Sequence, residues 1–232
     1  MLKTISICNK EYTISNDINN LLEVLVFIRE NIDSSLGFKF NCKSGVCGSC
    51  SVVVNGSEKL ACSYNIAEGD VIAPLKNLPV LKDLIVDSSN IENKLKSIDT
   101  NLSNNEQINQ NDIDSIDIES NCILCNSCYS SCPVYAYNPD FIGPFALTKA
   151  YRYINDKKDT SSTKDKVDNI QEKGVWDCTL CGNCSAVCPQ SIDIKTDIQT
   201  LQNLSVQNGF QNPMFTMGGG FGGDFGFNPN GF

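Results

Sequence analysis

"CTLCGNCSAVCP", residues 178–189, sets four cysteines at intervals of three, three and four residues and closes on a proline. A near copy, "CILCNSCYSSCP", occupies residues 122–133, so both runs read C-x2-C-x2-C-x3-C-P. The chain holds 13 cysteines and no histidine. Without imidazole it cannot build a Cys2His2 zinc site, a Rieske centre or a His-ligated haem, and thiolates must carry any ligation. In this spacing three close thiols take three corners of a cuboid iron-sulfur core, while the fourth, ahead of the proline, reaches the core of the other run. Cys122, Cys125 and Cys128 are therefore expected to share a 4Fe-4S cluster with Cys188. Cys178 and Cys184 are expected to share another with Cys132, and Cys181 is available for its fourth iron. Pro133 and Pro189 fix φ and lack an N–H, which redirects the chain just after each crossing ligand.

Upstream, "CKSGVCGSC" at residues 42–50 and Cys62 space four further thiols as C-x4-C-x2-C-x11-C. That is the plant-type spacing for a 2Fe-2S cluster held by Cys42, Cys47, Cys50 and Cys62. Gly45 and Gly48 let the backbone curl close and aim N–H groups at negatively charged sulfur. A zinc knuckle is the simpler alternative, but one tetrahedral ion does not call for glycine at these places. A disulfide framework is opposed by the odd cysteine count and the chain length. Three quartets take twelve of the 13 cysteines. The remaining one, Cys8, reads as a small side chain on the first strand, opposite the Ile5 and Ile7 face.

Residues 1–86 read as a small α/β unit. "KTISICN" and "EYTIS" alternate as strands about a turn at Asn9 and Lys10, "INNLLEVLVFIREN" carries a helical apolar face, and "CSVVVNGSEKLAC" turns at Asn55-Gly56. Residues 87–121 are rich in Asn, Asp and Ser and read as a linker, helical in part near Ile91 to Ile98. From residue 122 to 206 the pattern is helical, with "GPFALTKAYRYIND" and "IDIKTDIQTLQNL" spacing apolar residues by three and four. Residues 207–232 form a Gly, Phe and Asn tail of low complexity, expected to lack a core.

The balance of 27 acidic against 18 basic side chains gives a net charge of -9. Nucleic acid is not an expected partner, since binding to it rests on neutralised phosphates. No apolar run approaches the ~18 residues needed to span a bilayer. Met1 leads straight into an alternating strand with no signal-peptide pattern, so the expected location is cytoplasmic.

Taken in order, "CKSGVCGSC", "LKDLIVD", "CILC", "NPDFIGPFALTKAYRYI" and "GVWDC" resemble the iron-sulfur subunit of succinate dehydrogenase and fumarate reductase over about residues 1–200. The resemblance implies an α+β chain: a β-grasp ferredoxin-like N-terminal domain, then an α-helical ferredoxin C-terminal domain. It implies an electron wire between a FAD-containing catalytic subunit and a membrane-associated partner or the quinone pool, placed peripherally on the inner face of the cell membrane. The dicarboxylate chemistry belongs to the flavoprotein. In most of that family the position matching Cys181 is not cysteine and the third cluster is 3Fe-4S. Here the ligand is present, which favours 4Fe-4S. Quinone-reactive relatives place His and a Trp pair where this chain has Thr179 and Tyr135 to Tyr137. The resemblance is thus closer to variants whose third subunit is cysteine-rich and heterodisulfide-reductase-like, and the tyrosines read as packing around a dry cluster. A thiol-driven fumarate reductase and a free soluble polyferredoxin are the rival functions.

Overall fold

The structure is a computed structural model that describes residues 2–103 and 106–213. The tail from residue 214 on, and the reading made of it, lie outside the described residues.

The N-terminal half is built on a hairpin. Strands β1 (Leu2–Ile7) and β2 (Lys10–Ser15) pair antiparallel with Ile7 opposite Lys10. The two-residue turn is therefore Cys8-Asn9, one position earlier than the sequence suggested, with φ of 49° and 65°. Such a turn matches the twist of its strands and needs positive φ at both centres, which is where Asn belongs and Cys does not. Cys8 is accordingly a turn residue, not the strand side chain expected of it.

Helix α1 (Leu21–Asn31) starts at Asn20, whose Oδ1 accepts from the N–H groups of Leu22 and Glu23. A cap of this kind contributes about 1 kcal/mol. The helix lays Leu21, Leu22, Val24, Leu25 and Ile28 against the sheet, while Ile32, at its C-cap, is exposed. Strands β3 (Ser51–Val54) and β4 (Ser57–Leu60) turn at Asn55-Gly56, both at positive φ, as the Asn-Gly pair requires. Strand β5 (Val71–Ala73), too short to be legible by alternation, inserts parallel to β1 and completes a five-stranded sheet in the order β2-β1-β5-β3-β4. A short hairpin, β6 (Val80–Lys82) with β7 (Ile85–Val86), follows. This sheet gripping one helix is the expected β-grasp unit.

The second half is helical. Short helices α2 (Asn90–Lys96), α3 (Gln110–Asp114) and α4 (Asp117–Ser120) lead to the first cysteine run, which contains α5 (Ser127–Ser130) and ends in α6 (Pro133–Tyr137). Then come α7 (Pro144–Ile154), α8 (Thr163–Asp168), α9 (Asn183–Ala186) within the second run, and α10 (Ile194–Gln207). Pro144 occupies the first turn of α7, where its missing N–H has no helical partner to lose. Helices α7 and α10 pack together and bury Phe145, Leu147, Ile194, Ile198 and Leu201. The ring of Tyr129 is fully buried at their head, stacked edge-on against Tyr135 at 4.7 Å, with its hydroxyl donating to the Ile142 carbonyl. Tyr135 is thus a packing residue as expected. Tyr137 is not: it ends α6 at 94% exposure, because the helix stops one turn after Pro133 and swings it outward.

The halves are tied along one seam. Buried Glu58 accepts from Ser130 Oγ at 2.7 Å, and the same Oγ accepts from the Lys76 N–H. Asn77 donates its side-chain amide to the carbonyls of Tyr129 and Ser130, at the end of α5, and of Cys132, just beyond it. Among the described residues no helix is long and apolar enough to cross a membrane.

Candidate metal centres

The two C-x2-C-x2-C-x3-C-P runs fold alike. In each the leucine before the second cysteine adopts positive φ (Leu124 and Leu180, both 53°), and so does the residue after it (Asn126 at 64°, Gly182 at 83°). Left-handed backbone costs a β-carbon-bearing residue about 1–2 kcal/mol, and its repetition at equivalent leucines shows a loop held in shape by its surroundings. The result is a coil that turns several N–H groups inward. The N–H of Leu180 donates to Cys178 Sγ at 3.4 Å, that of Tyr135 to Cys132 Sγ at 3.4 Å, and that of Ser44 to Cys42 Sγ at 3.4 Å.

In space, Cys188 lies with thiols of the first run and Cys132 with thiols of the second. Cys122, Cys125, Cys128 and Cys188 line one small apolar cavity, walled by Phe145, Ile192 and Ile194. Cys132, Cys178, Cys181 and Cys184 line a second, walled by Val134, Phe141 and Ile198. Each fourth thiol comes from the other run, carried across by the chain ahead of Pro133 or Pro189. Cys181 alone among the thirteen is exposed and forms the outer wall of the second cavity.

In the N-terminal half, Cys42 and Cys47 are hydrogen-bonded neighbours, and Cys50 lies against both Cys62 and Cys47. Cys62 sits in a 3-10 turn, Ala61–Ser63, one step beyond β4, whereas the sequence suggested a strand. The turn brings its thiol back to the loop that β4 alone would carry past it.

Thiol chemistry tests whether these quartets suit a metal cluster. Inward N–H groups, Ser44's foremost, hold the Cys42 thiol down at about 6. Burial pushes Cys50 up to about 11 and Cys184 up to about 12, and it raises fully buried Cys128 well above the ordinary thiol range, with neighbouring Cys125, Cys122 and Cys184 adding to it. Four thiolates crowded in an apolar cavity are untenable without positive charge at its centre, and an iron-sulfur core that displaces their protons supplies it. Among the described residues no three His, Cys, Asp or Glu side chains are gathered to hold a single ion.

Spacing arguments missed three helix-borne groups at these cavities. The Lys149 ammonium approaches the Cys122 thiol, Thr148 lines the first cavity, and Thr148 Oγ1 donates to Asp197 Oδ2 at 2.8 Å. Asp197 lies on α10 between Ile194 of one cavity wall and Ile198 of the other. Burial pushes its carboxyl up to about 7, helped by Glu119 and Asp193 and opposed by Thr148. Tyr151 of α7 also faces it, its phenol raised chiefly by burial. The folded chain thus holds this proton more tightly than the unfolded one, whose carboxyl titrates near ~3.9. The stability it contributes is complete below about pH 4 and is lost as pH rises through about 7. Asp197→Asn keeps the Thr148 bond and never ionises. It is expected to gain on the order of 2 kcal/mol over the parent at pH 8, with the gap closing toward pH 5. Thermal unfolding of both proteins across that range checks this, and parallel curves would refute it.

Comparison with known proteins agrees with this architecture. The family model described as "2Fe-2S iron-sulfur cluster binding domain" matches residues 3–93, and "4Fe-4S dicluster domain" matches residues 119–192. The fumarate reductase iron-sulfur subunit of Mycobacterium tuberculosis is 35% identical over 86% of this chain and 86% of its own. The mitochondrial succinate dehydrogenase [ubiquinone] iron-sulfur subunit 1 of Oryza sativa is 34% identical over 81% of this chain and 71% of its own. In fold, a chain of the Mycobacterium smegmatis Sdh1 complex in the apo form superimposes with a TM-score of 0.81 at 22% identity, covering 90% of this chain and 98% of that one. With its 2Fe-2S and 4Fe-4S binding domains in this order, the chain belongs to the family of fumarate reductase and succinate dehydrogenase iron-sulfur subunits.

Proposed function

We propose that the chain is the electron-transfer subunit of a succinate dehydrogenase/fumarate reductase complex, relaying electrons between a FAD-containing flavoprotein and a membrane-associated third subunit. The observation that carries this reading is the partition of eight thiols into two separate apolar cavities, each completed by a cysteine from the other run. When bound, the three clusters accept and pass on single electrons without bond-making. What the chain itself does is hold, space and shield them.

Its residues form a continuous path. Cys47 and Cys125 border one cavity on the seam between the halves, linking the first quartet to the second. Cys184 lies close enough to Cys128 to add to the upward shift of its thiol, linking the second to the third. Exposed Cys181 suits an exit at the surface, where a partner can accept the electron. At the other end, Cys62 borders an open groove with Phe27, Glu23, Glu30 and Lys43, which suits an entry face for the flavoprotein. The third subunit is taken to be cysteine-rich and heterodisulfide-reductase-like. Thr179 and the Tyr135–Tyr137 stretch stand where a quinone pocket would want His and Trp. The complex would lie on the cytoplasmic face of the membrane through its partners.

Anaerobic purification from the native host tests the reading. The chain is expected to co-purify with a flavoprotein, to carry about ten iron atoms, and to bleach when succinate is added only while the flavoprotein is present. A chain that purifies alone and is reduced equally by many soluble donors would replace this reading with that of a free polyferredoxin.

A further inference from the structure

Gly48, the residue after Cys47, is buried at φ +69° on the seam between the two halves. A β-carbon there would lie 2.7 Å from Cys125 Cβ, 2.9 Å from Cys125 Cα and 3.0 Å from the Ile123 carbonyl oxygen. Carbon contacts settle at about 3.5–4.0 Å, so any larger residue must push the loops apart by roughly 1 Å. The backbone of the first quartet's loop thus rests directly on a ligand of the second quartet. We propose that Gly48 is a positioning residue that sets the separation of the 2Fe-2S and first 4Fe-4S clusters, its missing side chain allowing the closest approach of Cys47 to Cys125. The inference rests on the electron-transfer reading above and adds to it the device that fixes the first step's distance.

The halves cannot tilt to relieve a clash at this point. Asn77 clamps three carbonyls at the end of the first run, and Glu58 holds Ser130. On the far side of the loop, Gln190 Nε2 donates to the Gly45 carbonyl at 3.1 Å. Added bulk at residue 48 is therefore taken up between the Cys47 and Cys125 loops themselves. Because electron tunnelling and magnetic coupling both fall steeply with distance, the displacement is readable in two ways.

Three variants separate spacing from backbone strain. Gly48→Ala adds bulk and strain. Gly48→Asn adds bulk with little strain, since Asn tolerates left-handed backbone. Gly45→Ala, at φ +77°, adds strain while its β-carbon would meet only the Ser63 hydroxyl, at 3.3 Å. In the purified complex, the relaxation enhancement that the second cluster imposes on the reduced 2Fe-2S EPR signal is expected to drop in both Gly48 variants and to persist in Gly45→Ala. Electron passage between the two clusters is expected to slow several-fold in parallel. Unchanged relaxation in the Gly48 variants, an equal drop in Gly45→Ala, or loss of the 2Fe-2S cluster confined to the Gly48 variants would each overturn the proposal. Iron analysis of the unmutated complex stands apart: absence of clusters there defeats the electron-transfer reading itself.

Discussion

Cys181→Ser is expected to lower the iron content from about ten atoms per chain to about nine and to convert the third cluster into a three-iron form. The variant removes the outer wall of a cavity whose other thiols, Cys132, Cys178 and Cys184, stay in place, with Cys184 buried and Cys178 facing the Leu180 N–H. Three thiolates hold three corners, and the corner that pointed at solvent has lost its ligand. Oxidised three-iron centres are paramagnetic while ordinary four-iron ones are silent, so EPR of the oxidised complex should show a new signal in the variant and none in the parent. The potential of that centre is expected to rise. Cys8→Ser is the matched control. Its thiol lies in the β1–β2 turn, with burial and Asp83, not other thiols, setting its acidity. It is expected to leave iron and spectrum untouched. A Cys181→Ser spectrum identical to the parent's would show that the third cluster does not use this thiol.

What could be read from the residues alone was whatever depends on local chemistry or fixed spacing. Asn55-Gly56 announces its turn because few other pairs tolerate positive φ twice, and Pro144 announces the start of α7. The cysteine runs suggest their pairing because a cuboid core favours those intervals. Other features arise from contacts between distant parts of the chain. Strand β5 has three residues, too few to show alternation, and exists because β1 and β3 offer it edges on both sides. Leu124 and Leu180 occupy backbone that leucine avoids, so their conformation is dictated by what each loop surrounds. Asp197 looks like any solvent-facing acid on an amphipathic helix until α7 closes over it and presents Thr148. Tyr135 and Tyr137 are two residues apart with the same chemistry, yet one is buried and the other bare, because a five-residue helix sends them to opposite sides. Gly48 was legible as a residue needing freedom beside sulfur, but the neighbour that requires it, Cys125, lies 77 positions on in the other half.

The strongest test of the architecture exploits the crossing itself. Cys188→Ala lies in the second run, but its thiol lines the cavity of Cys122, Cys125 and Cys128, so it is the first 4Fe-4S cluster that should be lost. Cys132→Ala lies in the first run and should instead disable the cluster of Cys178 and Cys184. Iron content alone is a weak discriminator, since either loss leaves about six atoms. Adding Cys181→Ser to each background marks the third cluster. Cys188→Ala with Cys181→Ser is expected to retain the three-iron EPR signal, because every remaining ligand of that centre is intact. Cys132→Ala with Cys181→Ser is expected to lose it, because two thiols cannot hold three corners. Were each run to hold its own cluster, the two outcomes would exchange: the signal would vanish with Cys188 and survive without Cys132. Thermal stability should fall in both backgrounds, since an emptied cavity leaves buried thiols around apolar walls with no core to pack against. The reciprocal spectra therefore report connectivity independently of how much each loss destabilises the fold.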